Sequence, residues 1–317
     1  MIRKGVFLGT LPSFFFLAPR RILGAGPPSP HLGAFLLPLT YIEIEASEAS
    51  DRANHPGEKT PMTDTPKESS RIHDAGRSTS KEIDYRRGVA AYFESSQGAT
   101  IEKLENFTKY VPRQVLTRFI TRFELVREVL EVQGSIVECG VYLGGGLMSL
   151  AQASAILEPL NYQRKVIGFD TFEGFPSTSD EDRTATSPHA KEGGLASHAE
   201  DDIREAIRLF DQNRFLNHIG KVDLVRGDVI QTIPRFLEDA PHTVVSLLYL
   251  DMDLYEPTRA ALEAFLPRMP RGAVLAFDEL NLENWPGETL AVMDAVGLHE
   301  LEIRRFPFDP TLSYAVL

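Results

Sequence analysis

The sequence predicts an α/β protein built on a mostly parallel, seven-stranded sheet with helices on both faces. Three observations carry this expectation. From Ser135 onward, short β-type runs alternate with helical stretches, the order that builds parallel βαβ units. Two of those runs, VVSLLYL before Asp251 and GAVLAF before Asp278, are apolar without alternation, as strands buried on both faces are. Each ends in acids: Asp251 and Asp253 after the first, Asp278 and Glu279 after the second. Acids at strand tips lie at the carboxyl edge of the sheet, where open α/β sheets bind their ligands. That edge is the expected active site.

Composition narrows the partners. The chain has 317 residues, 43% hydrophobic and 25% charged, enough to bury one sizeable core. A formal net charge of -12 leaves no surplus of lysine and arginine for a phosphate backbone, so nucleic acid is not expected as a partner. Cys139 is the only cysteine, which removes intramolecular disulfides and cysteine-rich metal sites and fits a reducing, cytoplasmic setting. Arg3 and Lys4 precede the apolar GVFLGTLPSFFFLAP in the order of a signal peptide. Pro12 interrupts that run, no small-x-small site follows it cleanly, and it is too short to span a bilayer. Residues 1–82 therefore read as a disordered extension, with Met62 opening a stretch more typical of a soluble amino terminus and residues before it dispensable or a misplaced start. A helical cap is expected over 83–132 and the main domain over 133–317.

Within the cap, apolar residues from Ile101 to Val132 recur at helical spacing. Leu116, Phe119, Ile120, Phe123, Val126, Val129 and Leu130 form one stripe, and Arg113, Arg118, Arg122, Arg127 and Glu128 fall mostly on the other face. Packing alone explains such a helix. The preceding NFTKYVPRQ reads either as a turn that starts it or as a cap over a ligand pocket.

The main domain opens with a strand at Ser135–Cys139, a glycine-rich loop over 140–146 and a helix over Leu147–Leu157. Glycines at such a junction let a backbone approach a ligand, and the helix start offers free N–H groups. The loop lacks both the GxGxxG register and the lysine of a phosphate loop. Glu138 adds to the signal, being a carboxylate near the end of an apolar strand. Val166–Phe169 is the next strand and ends in Asp170, placed either to accept hydrogen bonds from ribose hydroxyls or to cap a turn. The polar stretch from Ser177 to His198 is long for a connection and reads as a lid. A helix over Ala199–Phe210, a strand KVDLVRGD ending at Asp228 and a helix over Ile230–Leu237 follow. Beyond the strand VVSLLYL come a helix over Pro257–Leu266, the strand Gly272–Phe277, a helix over Thr289–Val296, and the strands ELEIRRF and SYAVL. His189, His198, His218, His242 and His299 show no metal-ligand spacing, although His189 and His198 fall in the lid. Tyr255 and Trp285 either line an acceptor pocket or pack behind it.

The succession ECGVYLGGG, FDTFEGFP, GD, LDMDLYEPT and AFDE, in this order and at these spacings, resembles the macrocin O-methyltransferase family from about Asn106 to Leu317. The resemblance implies a Rossmann-like methyltransferase fold and a methyl transfer from S-adenosylmethionine to a sugar hydroxyl in natural-product biosynthesis. By that resemblance Glu138, Gly140, Tyr142, Gly144 and Gly145 hold the methionine portion of the donor. Asp170, with Thr171 and Phe172 beside it, binds the ribose; Asp228 and Val229 sit at the adenine; Asp251 lies near the methionine end. Asp253 matches a general base that is also a metal ligand, and Asp278 with Glu279 matches a pair that in characterised sugar methyltransferases is typically Asp-Asp. Magnesium would then be held by Asp253, Asp278 and Glu279.

The chemistry agrees with this. A sugar hydroxyl is a poor nucleophile at neutral pH; a hard, oxygen-liganded ion acidifies it and an adjacent carboxylate takes its proton. An all-oxygen set suits magnesium over zinc. The expected partner is a small sugar or glycoside acceptor, with no membrane; oligomeric state stays open, a homo-oligomer being one outcome the resemblance allows. A nicotinamide dehydrogenase would need the regular glycine fingerprint, and an iron hydroxylase a jelly-roll pattern; neither is present. A member that binds the donor without metal-dependent methylation stays open as the alternative.

Overall fold

The computed structural model describes residues 79–317, all within the unit Glu68–Leu317. The expectations for residues before 79, the extension and the alternative start at Met62 among them, lie outside the described residues. The first described helix, α1 (Ser80–Ser95), begins three residues ahead of the expected cap. Thr79 caps it, accepting from Glu82 N while the Glu82 side chain returns to the Thr79 N–H. None of its residues is buried. A short α2 (Thr100–Glu105) and a 3-10 turn at Phe107–Lys109 lead to α3 (Arg113–Glu128). The single helical run expected from Ile101 is thus broken. Pro112 is the reason: it lacks an N–H and disfavours helical dihedrals at Val111, so the helix restarts with Pro112 as its N-cap.

The main domain runs β1 (Ser135–Cys139), α4 (Gly145–Leu157), β2 (Val166–Asp170), α5 (Glu200–Gln212), β3 (Val222–Arg226), α6 (Val229–Asp239), β4 (Val245–Leu250), α7 (Tyr255–Phe265), β5 (Val274–Phe277), α8 (Pro286–Ala295), β6 (Arg304–Arg305) and β7 (Ser313–Val316). Helix α8 starts at Pro286, at the first helical position that tolerates proline best, ahead of the expected Thr289. Helix α7 starts at Tyr255, which places Pro257 third in its first turn. Of ELEIRRF only Arg304–Arg305 pairs, because Gly297 (φ 87°) opens a 3-10 turn over Leu298–Glu300.

The sheet order is β3-β2-β1-β4-β5-β7-β6. Strands β1 to β5 are parallel, and β7 joins antiparallel to β5 with β6 at the far edge. This is the α/β fold of Rossmann-like methyltransferases. The chain reverses direction across the sheet between β1 and β4, so their carboxyl ends open a crevice. Alternate residues feed two cores: Ile136, Leu247 and Val274 pack beneath α3, α4 and α5, and Val137, Leu248 and Leu275 pack beneath α6, α7 and α8. Among the described residues no helix is long and apolar enough to cross a membrane.

Candidate functional site

A cavity of about 890 Å³ opens at the carboxyl edge of β1, β2, β4 and β5, within the size range of small-molecule sites. Its floor is the strand-tip loops, one wall is α3, and the segment from Gly174 to Leu195 with Trp285 closes another side.

The glycine loop forms one end. Gly140 has φ 93°, and a Cβ there would lie 1.8 Å from the Asp251 carbonyl oxygen, so only glycine lets the tips of β1 and β4 come this close. Asp170 shapes the same loop. Its Oδ2 accepts from the N–H groups of Val141 and Tyr142, both at 2.7 Å, and its Oδ1 from Phe172 N at 2.6 Å. Both readings of Asp170 are therefore in play: it holds a turn, and as a carboxylate with about four lone-pair sites it keeps capacity for a ligand. Helix α4 begins at Gly144 (φ 83°) with no side-chain cap, leaving its first N–H groups free of a side-chain acceptor on the cavity side. A Cβ built on Gly145 meets no atom within 4 Å, so hydrogen alone keeps that space open.

The other end is acidic. Oxygens of Asp251, Asp278 and Glu279 lie within 4.8 Å of one another. Asp253 lines the cavity beside them but is not in this closest group, which departs from the expected trio of Asp253, Asp278 and Glu279. Its backbone explains the offset. Leu254 N donates to Met252 O at 2.6 Å, closing a three-residue turn whose central residue, Asp253, has φ 63°. This is the rarer, strained γ-turn, held by the structure around it.

Two arginines of α3 answer the acids. Arg118 Nη2 donates to Asp278 Oδ2, and Tyr249 OH donates to Asp278 Oδ1 at 2.6 Å. Arg122 lies with its Nη2 3.5 Å from Asp251 Oδ2 and its Nε 3.9 Å from Glu138 Oε1, and its guanidinium stacks over the Tyr249 ring at 4.7 Å. Burial opposes ionisation of Asp278, but the two arginines outweigh it and hold its carboxyl below the ordinary range. Glu279 goes the other way: burial first, then Asp278, Asp253 and Asp251, push it well above the usual carboxylate value. Burial likewise raises Glu138, against the pull of Arg122. Glu279 Oε2 and Glu138 Oε2 have no hydrogen-bond partner among the described residues. Behind them, Glu288 Oε1 accepts from Glu279 N at 2.9 Å and fixes the tip of β5.

Of the expected donor-binding residues, Gly140, Tyr142, Gly145, Asp170, Thr171, Asp228, Val229 and Asp251 line the cavity. Glu138, Gly144 and Phe172 stand behind its wall: Glu138 is packed against Gly146, and the Phe172 ring belongs to the core. Asp228 also caps α6, its Oδ1 accepting from Ile230 N at 3.0 Å. His189 and Trp285 line the cavity, the Trp285 ring edge-on to Phe175 at 5.8 Å. Tyr255 OH turns away to Asp294 at 2.9 Å, and His198 sits 3.3 Å from Glu173.

The main correction concerns α3. Arg122 is buried and Arg118 lines the cavity, while Ile120, expected inside, is 46% exposed. Arg118 and Arg122, four apart, share a face, but their spacing does not distinguish a buried face from a solvated one. Asp182 was missed as well. Buried in the lid, it accepts from Tyr255 N at 3.0 Å and from Ser179 Oγ at 2.9 Å, tying the lid to the start of α7.

Comparison with known proteins agrees with this architecture. Residues 110–298 match the family described as Macrocin-O-methyltransferase (TylF). A solved structure titled CalS11, calicheamicin methyltransferase, superposes with a TM-score of 0.73 at 35% identity, covering 75% of this chain and 93% of that one. An apo structure titled CalS11, TDP-rhamnose 3'-O-methyltransferase, gives 0.66 at 33% identity over 75% and 95%. The 8-demethyl-8-(2,3-dimethoxy-alpha-L-rhamnosyl)-tetracenomycin-C 4'-O-methyltransferase of Streptomyces olivaceus is 27% identical over 156 residues, 48% of this chain. That match spans 55% of the curated relative's length.

Proposed function

The chain belongs to the macrocin O-methyltransferase family, and from that premise we propose that it moves a methyl group from S-adenosylmethionine to a hydroxyl of a deoxysugar or glycosylated natural product, assisted by magnesium. One observation carries the reading: a single cavity joins a glycine cradle with an uncapped helix start at one end to a cluster of carboxylates, two of them buried, at the other. The family and the names of two relatives, one a TDP-rhamnose and one a rhamnosyl methyltransferase, support a sugar acceptor.

The cradle fits the donor. The start of α4 and the open space at Gly145 suit its amino-acid carboxylate, with Gly140, Tyr142 and Gly144 shaping the loop and Glu138 supporting it from behind. Asp170, with Thr171 and the backbone at Phe172, would take the ribose, and Asp228 and Val229 the adenine. The acids fit a hard cation: all donors are oxygens, and buried Glu279 Oε2 has no hydrogen-bond partner among the described residues. Asp251, Asp278 and Glu279 supply the closest oxygens, and Asp253 adjoins them. The donor when bound supplies an electrophilic methyl group, and the cation acidifies the acceptor hydroxyl. Asp253 Oδ would take the acceptor hydroxyl's proton, and the donor, held by the cradle, would give up its methyl group to that oxygen and depart as a neutral thioether. The rest of the protein's task is alignment, which is where most of the rate in a displacement between two bound partners arises.

Calorimetric titration with S-adenosylmethionine, with and without magnesium, and turnover on a panel of rhamnosides test the reading. Donor binding together with magnesium-dependent methylation is expected. Donor binding with no metal effect and no product on any glycoside would sink it in favour of a non-catalytic or differently specific member.

A further inference from the structure

Arg118 already occupies part of the ground a cation would need. Its Nη2 donates to Asp278 Oδ2, and the other oxygen of that carboxylate accepts from Tyr249 OH at 2.6 Å. Both oxygens of one member of the acid trio therefore already face a protein donor, while buried Glu279 has Oε2 without a hydrogen-bond partner among the described residues. A second acid stands on the far side of the guanidinium. Asp309, 1% exposed, has its Oδ2 4.0 Å from Arg118 Nη1, and that same Nη1 donates to Thr311 Oγ1 at 3.0 Å. Arg118 hangs between two carboxylates, one inside the trio and one outside the cavity.

We propose that Arg118 is the resident counter-ion of the cation site, neutralising Asp278 while no divalent ion is bound and turning over to Asp309 when one binds. The residue thereby sets the affinity of the site. The proposal rests on the cation reading above. Its logic is competition: an ion coordinated by Asp278 needs lone pairs that Nη2 is using, and two positive charges on one poorly solvated carboxylate repel. The outer seat is prepared, because Asp309 Oδ2 accepts from Thr121 Oγ1 at 2.7 Å and its Oδ1 from Thr311 N at 3.2 Å, which fixes the carboxylate in place.

The test uses the full chain and Mn²⁺ as the probe, with free ion measured by paramagnetic resonance, so that no turnover enters the readout. Arg118→Met should bind Mn²⁺ about tenfold more tightly than wild type, a change of about 1.4 kcal/mol. Asp309→Asn, which removes the outer seat, should bind it more weakly, and should change nothing when added to Arg118→Met. Equal or weaker binding by Arg118→Met overturns the proposal, as does an Asp309→Asn effect of the same size in both backgrounds. Should Arg118→Met fail to fold, Asp309→Asn against wild type decides: unchanged affinity there overturns it. Binding by neither wild type nor Arg118→Met would instead remove the cation reading itself, an outcome distinct from tight binding that ignores Arg118.

Discussion

The two edges of the sheet bury charge in opposite ways. At the amino edge, Arg164 has acceptors at both terminal nitrogens and a counter-charge beside its Nε, which alone makes no hydrogen bond among the described residues. Its Nη1 donates to Gly134 O at 3.0 Å and to Ser246 Oγ, its Nη2 to Val129 O and Val132 O at 3.0 Å, and its Nε lies 2.6 Å from Glu158 Oε1. Lys221 beside it donates to Asn161 O at 2.8 Å. At the carboxyl edge, Arg118 and Arg122 face Glu138, Asp251 and Asp278, with Glu279 close by, and one buried oxygen each of Glu138 and Glu279 has no hydrogen-bond partner among the described residues. Backbone strain leans the same way: Tyr142, Phe172, Asp253 and Asn281 have positive φ on loops of the carboxyl edge, against Leu216 before β3 at the amino edge. At the amino edge the buried charges are largely matched by protein groups, whereas the carboxyl edge gathers acids whose buried oxygens are left over, as a ligand site would.

The sharpest break between the edges should come from Asp253. Changing it to Asn keeps its size and turn but removes the proton acceptor, so turnover should fall about 10³-fold while calorimetric affinity for S-adenosylmethionine stays within about twofold. A comparable loss of donor affinity would mean Asp253 serves binding. Next come the arginines. Arg122→Met and Arg164→Met each strand buried partners, so each should lower unfolding free energy by about 3 kcal/mol in urea titrations. Measured well below the transition, Arg164→Met should keep kcat per folded molecule, and Arg122→Met should lose it. Equal kcat in the two would erase the functional contrast. Gly145→Val should be milder: with no atom within 4 Å of its Cβ the apo protein accommodates it, yet donor affinity should drop about tenfold because the cradle is filled.

Much of this contrast was legible in the chain. Unbroken apolar runs gave the strand positions, and acids at their ends marked the edge where Asp170, Asp228, Asp251, Asp253, Asp278 and Glu279 all reach the cavity. The arginines were not legible, because a charged residue on an amphipathic helix normally faces solvent, and only the sheet's acids make burying Arg122 tolerable. The same limit hid Tyr249, whose hydroxyl matters only because β4 and β5 pair in register at Tyr249 and Ala276, next to Asp278. Pattern reveals which face an element buries against apolar neighbours. A polar face that closes on distant acids carries no periodic mark, and β6 shrank to two residues for a related reason, since Gly297 redirects the chain before it.

The smallest predicted effect tests whether the amino edge is as settled as its hydrogen bonds suggest. Burial lowers the Lys221 ammonium from 10.5 to about 8; Glu158 pulls the other way, and Arg164, Arg214 and Lys165 add to the lowering. Between about pH 8 and 10.5 the unfolded chain therefore holds a proton that the folded chain has released. Unfolding then takes up a proton, so raising the pH across that window stabilises the fold. The lysine costs stability at neutral pH and the cost fades as it discharges. After allowance for solvent screening, the gain should be on the order of 1 kcal/mol in urea titrations compared across the window. Lys221→Met should lack that increment. A wild-type profile as flat as the variant's would mean the carbonyl of Asn161 and Glu158 already offset the burial of the charge, leaving the amino edge fully compensated and the contrast between the edges larger than drawn here.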